Sequence, residues 1–195
     1  MANMICLAFF FCLRPGEYTG TTTDDQAFCL DNLVFFLGSR RLSSEHSPDY
    51  EINEATAIHL IFTTQKNGDK GTVIAHAHSG DTLCCLVTAA IRQFMVHRNE
   101  FWREQTPYAR RQKLASYYNS RHANVPVRPA MVTDTMRWHT AILEPTTGIS
   151  PYHLSARSLW AGGAMALLQG ECDSNVIKLL ARWHSDAMMR YLHHQ

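Results

Sequence analysis

"AIHLIFTTQKNGDKGTVIAHA", residues 57–77, holds two apolar, β-branched stretches separated by "QKNGDKG". Asn67-Gly68 tolerates positive φ at both positions, which is what a tight hairpin turn needs, so the stretch predicts two antiparallel strands. The turn then carries Lys66 and Lys70 at or beside its tip. Upstream, "FCLDNLVFFLG" (28–38) has the aromatic and β-branched content of a third strand, stopped by Gly38. Downstream, "DTLCCLVTAAIRQFMVHR" (81–98) changes to helical spacing, with Asp81 or Thr82 as the N-cap candidate.

Helices flank this sheet. "MICLAFFFCL" (4–13) lacks a basic leader and a small-residue cleavage site, and it is too short to span a bilayer. It reads as a buried helix over roughly 2–13, ending near Pro15-Gly16, and "TGTTTDD" (19–25) reads as a polar loop. Further helices are expected near 133–143, 153–169, 173–182 and 185–193. One helix, three strands and then mostly helices describe an α+β domain, mainly helical, with a small three-stranded antiparallel sheet. The length of 195 residues suits one domain with a proper core, and 46% hydrophobic with 18% charged residues is a globular mixture. Six cysteines without disulfide-rich spacing predict reduced thiols in an intracellular protein.

The net charge of +1 is unevenly distributed. Residues 1–55 carry three Lys/Arg against eight Asp/Glu, whereas residues 92–128 carry eight against two. That second segment interleaves arginines, among them Arg110 and Arg111 beside Lys113, with Trp102, Tyr108, Tyr117 and Tyr118. The mixture suits a polyanion, and it equally suits a solvated helix face followed by a basic loop.

Several side chains stand out for chemistry. Arg14 lies where the first apolar helix breaks, and either Glu17 or a phosphate oxygen could be its partner. Arg157 and Trp160 are one helical turn apart, and "WAGGA" places a glycine pair just beyond them. Tyr191, nine residues after Arg182, could pack its ring or serve as a nucleophile whose phenolate neighbouring arginines make accessible. His76 and His78 with Cys84-Cys85 match no common zinc spacing. No GxxxxGK[ST], GxGxxG or GxSxG stretch gives nucleotide binding or hydrolase chemistry a footing.

Taken in order, these stretches resemble the catalytic domain of tyrosine recombinases of the phage-integrase type, above all the versions in eukaryotic mobile elements. "LRPGEY" resembles the first-arginine motif, with Arg14 in the arginine place. "FTTQKNGDKG" resembles the hairpin bearing the family's lysine, with Lys66 the better match and Lys70 the other. "DTLCCLVTAAIRQFMVHR" resembles the following helix, with Cys85 replacing a usual proline. "ARSLWAGGAMALL" resembles the His-x-x-Arg box, and "LLARWHSDAMMRYLHH" the closing segment with Tyr191 as nucleophile. The resemblance covers roughly residues 4–195.

It implies chemistry without metal or cofactor. Two arginines clamp the scissile phosphate, the tyrosine attacks phosphorus to form a 3′-phosphotyrosyl link, and the lysine protonates the departing 5′ oxygen. Double-stranded DNA, with oligomers assembled on it, is the implied partner; no membrane is involved, and in a eukaryote the nucleus is the compartment. Two departures matter. Arg157 stands where the box has histidine, with His153 four residues before it, and Trp160 stands where the second clamping arginine belongs. Tryptophan has one N–H donor and no charge, so it cannot replace a bidentate cation. Arg182 takes the family's second-histidine or tryptophan position, with Trp183 one place along. Ala181 stands at a usual glycine, and the family's N-terminal DNA-clamping domain is absent from the resemblance. The expectation is DNA recombination and integration by breaking and rejoining, impaired at Trp160, with Arg14, Lys66, Arg157, Arg182 and Tyr191 as the surviving site. The alternatives are a non-catalytic DNA-binding remnant and an unrelated helical interaction domain.

Overall fold

The computed structural model describes residues 1–19, 27–63, 71–104 and 111–182. Strands β1 (Leu33–Leu37), β2 (Arg40–Arg41), β3 (Ala57–Phe62) and β4 (Thr72–Ala77) form one antiparallel sheet in the order β2-β1-β3-β4. The sheet therefore has four strands, not the expected three. β2 escapes sequence reading because it is two exposed arginines reached through Gly38 at φ +59°, with no apolar alternation to announce it. A separate pair, β5 (Ser116–Tyr118) and β6 (Asn124–Pro126), lies inside the basic segment, where a loop was expected.

The two strands pair antiparallel from Ala57↔Ala77 to Phe62↔Thr72, and the Gly71 amide donates to the Phe62 carbonyl at 2.8 Å. Its tip, with Asn67-Gly68, Lys66 and Lys70, lies outside the described residues. Along β3 the alternation is clean: Ile58, Leu60 and Phe62 are fully buried and their neighbours half-buried or exposed, the signature of a sheet with one covered face. That face packs into one core with Leu7, Ala8 and Phe11 at the N-terminal helix and Val87, Ala90 and Phe94 of the long helix after the hairpin.

Helix α1 (Ala2–Phe10) is buried through Met4, Leu7 and Ala8, and it stops earlier than the apolar run. Cys12 turns left-handed at φ +47°, and Pro15 holds Arg14 extended. Pro15 then opens α2 (Pro15–Tyr18), the position where a missing N–H costs nothing. Helix α3 (Asp49–Asn53) sits between β2 and β3. Helix α4 (Leu86–Glu104) begins later than Asp81 or Thr82: the Asp81 carboxylate instead takes the Leu83 and Cys84 amides, each at 2.7 Å, closing a turn before the helix.

Helix α5 (Pro129–Thr147) runs beyond both expected ends, started by Pro129 and stopped by left-handed Gly148. Helix α6 (Ala156–Gln169) passes unbroken through Gly162-Gly163, so the glycine pair is a packing feature and not a turn. Helix α7 (Ser174–Ala181) is capped by Asp173, whose carboxylate accepts the Asn175 amide at 2.8 Å. The expected helix over 185–193 lies outside the described residues. Among the described residues, no helix is long and apolar enough to cross a membrane.

Candidate functional site

Three segments far apart in sequence meet around the C-terminal end of α7. The last carbonyls of any helix lack intrahelical partners and must find them elsewhere. Here the Leu180 carbonyl accepts from Arg182 Nη1 at 3.0 Å, the Ala181 carbonyl from Trp160 Nε1 at 3.3 Å, and the Arg182 carbonyl from Arg14 Nη2 at 3.2 Å. The negative end of a helix dipole favours cations, which is why two arginines settle here. The Arg14 guanidinium also lies 5.6 Å from the Trp160 ring centroid, a cation–π contact. Arg14, Trp160 and Arg182 therefore form one cluster.

Close helix packing brings them together. Gly163 lies directly against α1: a Cβ there would stand 2.2 Å from the Phe9 carbonyl oxygen and 3.0 Å from Cys12 Sγ. Absence of that Cβ lets α6 reach the break after α1, so Trp160, one turn earlier, lands beside Arg14. The ring rests on a small cluster of Cys12, Ala164, Ile177 and Ala181 that joins α1, α6 and α7.

Arg182 is placed differently from a phosphate-facing arginine. Left-handed at φ +54°, it turns its side chain inward, where it is 2% exposed. Nη2 donates to Glu17 Oε2 and to the Cys12 carbonyl, both at 2.7 Å, and Nη1 donates to the Phe11 carbonyl at 3.1 Å. Its guanidinium carbon stands 4.1 Å from the Phe62 ring centroid. Glu17, weighed from sequence as a partner of Arg14, gives its carboxylate to the Arg182 side chain and accepts only the backbone amide of Arg14, at 2.8 Å. That amide contact is the reach-back of a third-position glutamate at a helix start. So the arginine after α7 is a fastener between the C-terminal helices and the α1–α2 corner.

Among the described residues of this cluster, what remains for chemistry is one half-buried guanidinium, Arg14, flanked by an indole whose N–H is spent on Ala181. Arg157 is exposed, one turn before Trp160, and His153 is exposed just ahead of α6. Such an arrangement can hold an anion at Arg14, but it offers no second guanidinium from position 160. Lys66, Tyr191, Arg110 and Trp183 lie outside the described residues. Arg111 is exposed, and Lys113 is half-buried and bridges to Cys29.

A second constellation, weighed from sequence only for zinc, pairs a histidine with a cysteine. His78 Nδ1 lies 3.0 Å from Cys85 Sγ, and its Nε2 lies 2.9 Å from the Ala55 carbonyl. His78 lies just past the end of β4 at Ala77, whereas His76, on the strand, packs edge-on against Phe11. Among the described residues, no three His, Cys, Asp or Glu side chains form a group able to hold a metal ion. Compared with protein-family models, curated proteins and solved structures, the chain matches none of them.

Proposed function

We propose that this chain is a DNA breaking-and-rejoining domain of the tyrosine-recombinase kind whose catalysis is impaired at Trp160. The observation that carries this reading is the convergence of Arg14, Trp160 and Arg182 at the end of α7. These are the three stretches whose motifs resemble the family's phosphate-clamping segments, and helix packing at Gly163 sets them side by side. The α+β architecture, with a lysine-bearing hairpin beside a mainly helical body, agrees with it.

In this reading Arg14 holds one non-bridging oxygen of the scissile phosphate, Lys66 protonates the leaving 5′ oxygen, and Tyr191 attacks phosphorus. Trp160 removes the second cationic clamp. One lost preorganised donor costs on the order of 3 kcal/mol of transition-state stabilisation, about a hundredfold in rate. Arg182 does not compensate, because Glu17 and two α1-end carbonyls hold its donors. This last geometry favours a second reading, a DNA-binding remnant without chemistry.

A nicked suicide duplex from a random-sequence pool, with denaturing-gel detection of covalent protein–DNA adduct, separates the two. Trp160→Arg is expected to raise adduct about a hundredfold over the unmodified chain, and Tyr191→Phe to abolish it. Duplex binding without adduct in either form supports the remnant. Neither binding nor adduct removes both readings.

A further inference from the structure

We propose that Cys85 and His78 form a thiol–imidazole pair that makes Cys85 a redox modification site, taking small organic disulfides into a mixed disulfide. The geometry begins with the Ala55 carbonyl, which can only accept. It therefore fixes the proton on His78 Nε2, 2.9 Å away, and leaves the Nδ1 lone pair facing Cys85 Sγ at 3.0 Å. A nucleophile, a base and a group that orients the base stand in line, the relation that activates thiols.

The position of the sulfur adds to this. Cys85 immediately precedes α4, a helix of 19 residues, and so stands at the positive end of its dipole. Burial opposes ionisation of the thiol, but hydrogen bonds from the Thr88 hydroxyl and amide, the Ser79 backbone and His78 outweigh it and bring Cys85 down to about 6. His78 shifts the other way: burial would lower it, and its bonds to Cys85 and Ala55 raise it. Thiolate and imidazolium thus stabilise each other. Among the described residues, further titratable groups nearby are Cys84, Cys6 on α1, Asp81, whose carboxylate is occupied by backbone amides, and His139, which lines a cavity with Cys6 and Cys84. Cys6 behaves oppositely: burial, then Cys84 and Cys85, push it up to about 11. Cys85 itself is 4% exposed, whereas His78 and residues 79–84 are all exposed. A small reagent is therefore admitted in preference to a bulky one.

The step balances as thiol–disulfide exchange. The Cys85 proton passes to His78 Nδ1, the thiolate attacks one sulfur of the disulfide, a new S–S bond forms and the old one breaks. The departing thiolate takes the proton from His78; Cys85 is oxidised and the reagent is reduced.

The test treats the native full chain with hydroxyethyl disulfide from about pH 5 to about pH 9 and maps the modified cysteine by peptide mass, with exposed Cys84 as internal reference. Cys85 is expected to react with a rate midpoint near pH 6, and His78→Gln to slow it about threefold at pH 6.5 by moving that midpoint upward by about one unit. Thr88→Val, which keeps the shape of the helix start, should move it in the same direction. An unmodified Cys85 beside a modified Cys84, or one pH profile shared by the unmodified chain and both variants, overturns the proposal.

Discussion

Gly163 is where a single atom decides the packing. Its missing Cβ leaves room for the Phe9 carbonyl, and at 2.2 Å neither a helix backbone nor a buried strand of main chain can yield cheaply. Gly163→Ala should cost about 2–3 kcal/mol, the upper part of the usual overpacking range, read as a lower urea midpoint at unchanged slope. Gly162→Ala should cost clearly less, because the atom it meets, at 3.3 Å, is the rim of the Phe9 ring, which can rotate. Glu17 makes the complementary case. Its carboxylate is the only acid bonded to the buried Arg182 among the described residues. Glu17→Ala leaves a guanidinium in the core without its counter-charge, an error worth about 3–5 kcal/mol. Adding Arg182→Met to that variant should restore part of the loss, a non-additivity measurable by urea unfolding of the two singles and the double.

Elements differ in how openly the sequence declares them. The β3–β4 pairing was legible because two apolar, β-branched stretches flank a polar, glycine-containing break, and α1, α4, α6 and α7 were legible from apolar spacing. β5 and β6 were not: "SYYNSRHANVP" spans two three-residue strands without apolar alternation, held by Ser116↔Pro126 to Tyr118↔Asn124 pairing. What stabilises that pair is hidden in α4. The fully buried His97 lies 3.1 Å from the Gln93 amide nitrogen, which donates to the Leu114 and Ser116 carbonyls, and its ring meets Tyr118 edge-on. Burial lowers the His97 pKa below 6.5, and burial does the same to His76. The folded chain therefore keeps both rings neutral while the unfolded chain protonates them. The stability they contribute is complete above about pH 6.5 and is lost as pH falls below it. Urea midpoints should drop between about pH 7 and about pH 5, and His97→Gln should flatten that dependence while leaving the share due to His76. The candidate site was legible as residue types but not as roles. Arg14 and Trp160 meet across the fold, whereas nothing in "LLARWH" says that Arg182 turns inward, because that depends on a left-handed residue and on Glu17, 165 positions away.

For the whole molecule, the question is how much of the basic segment reaches solvent. Arg92, Arg111, Arg121 and Arg128 are exposed. Arg98 is not: it is 6% exposed, pairs with Asp49 at 3.1 Å and donates to the Ser47 carbonyl at 2.5 Å, tying α4 to α3. The charge excess written in residues 92–128 therefore overstates the field available to a polyanion. Affinity for DNA that rests on phosphate contacts falls with salt, with a log–log slope of about −0.9 for each phosphate neutralised, and non-specific binding of this kind lies in the range of about 10⁻⁴–10⁻⁶ M at physiological salt. Arg111→Gln, Arg121→Gln and Arg128→Gln, taken singly and together, should each make the slope shallower by up to about 0.9 in a fluorescence-anisotropy titration against a random duplex, without moving the urea midpoint. Arg98→Gln should do the reverse, lowering the midpoint and leaving the slope in place, because its charge serves α3 and not the solvent. A slope unchanged by the triple variant would mean that these arginines of the basic segment do not meet phosphates.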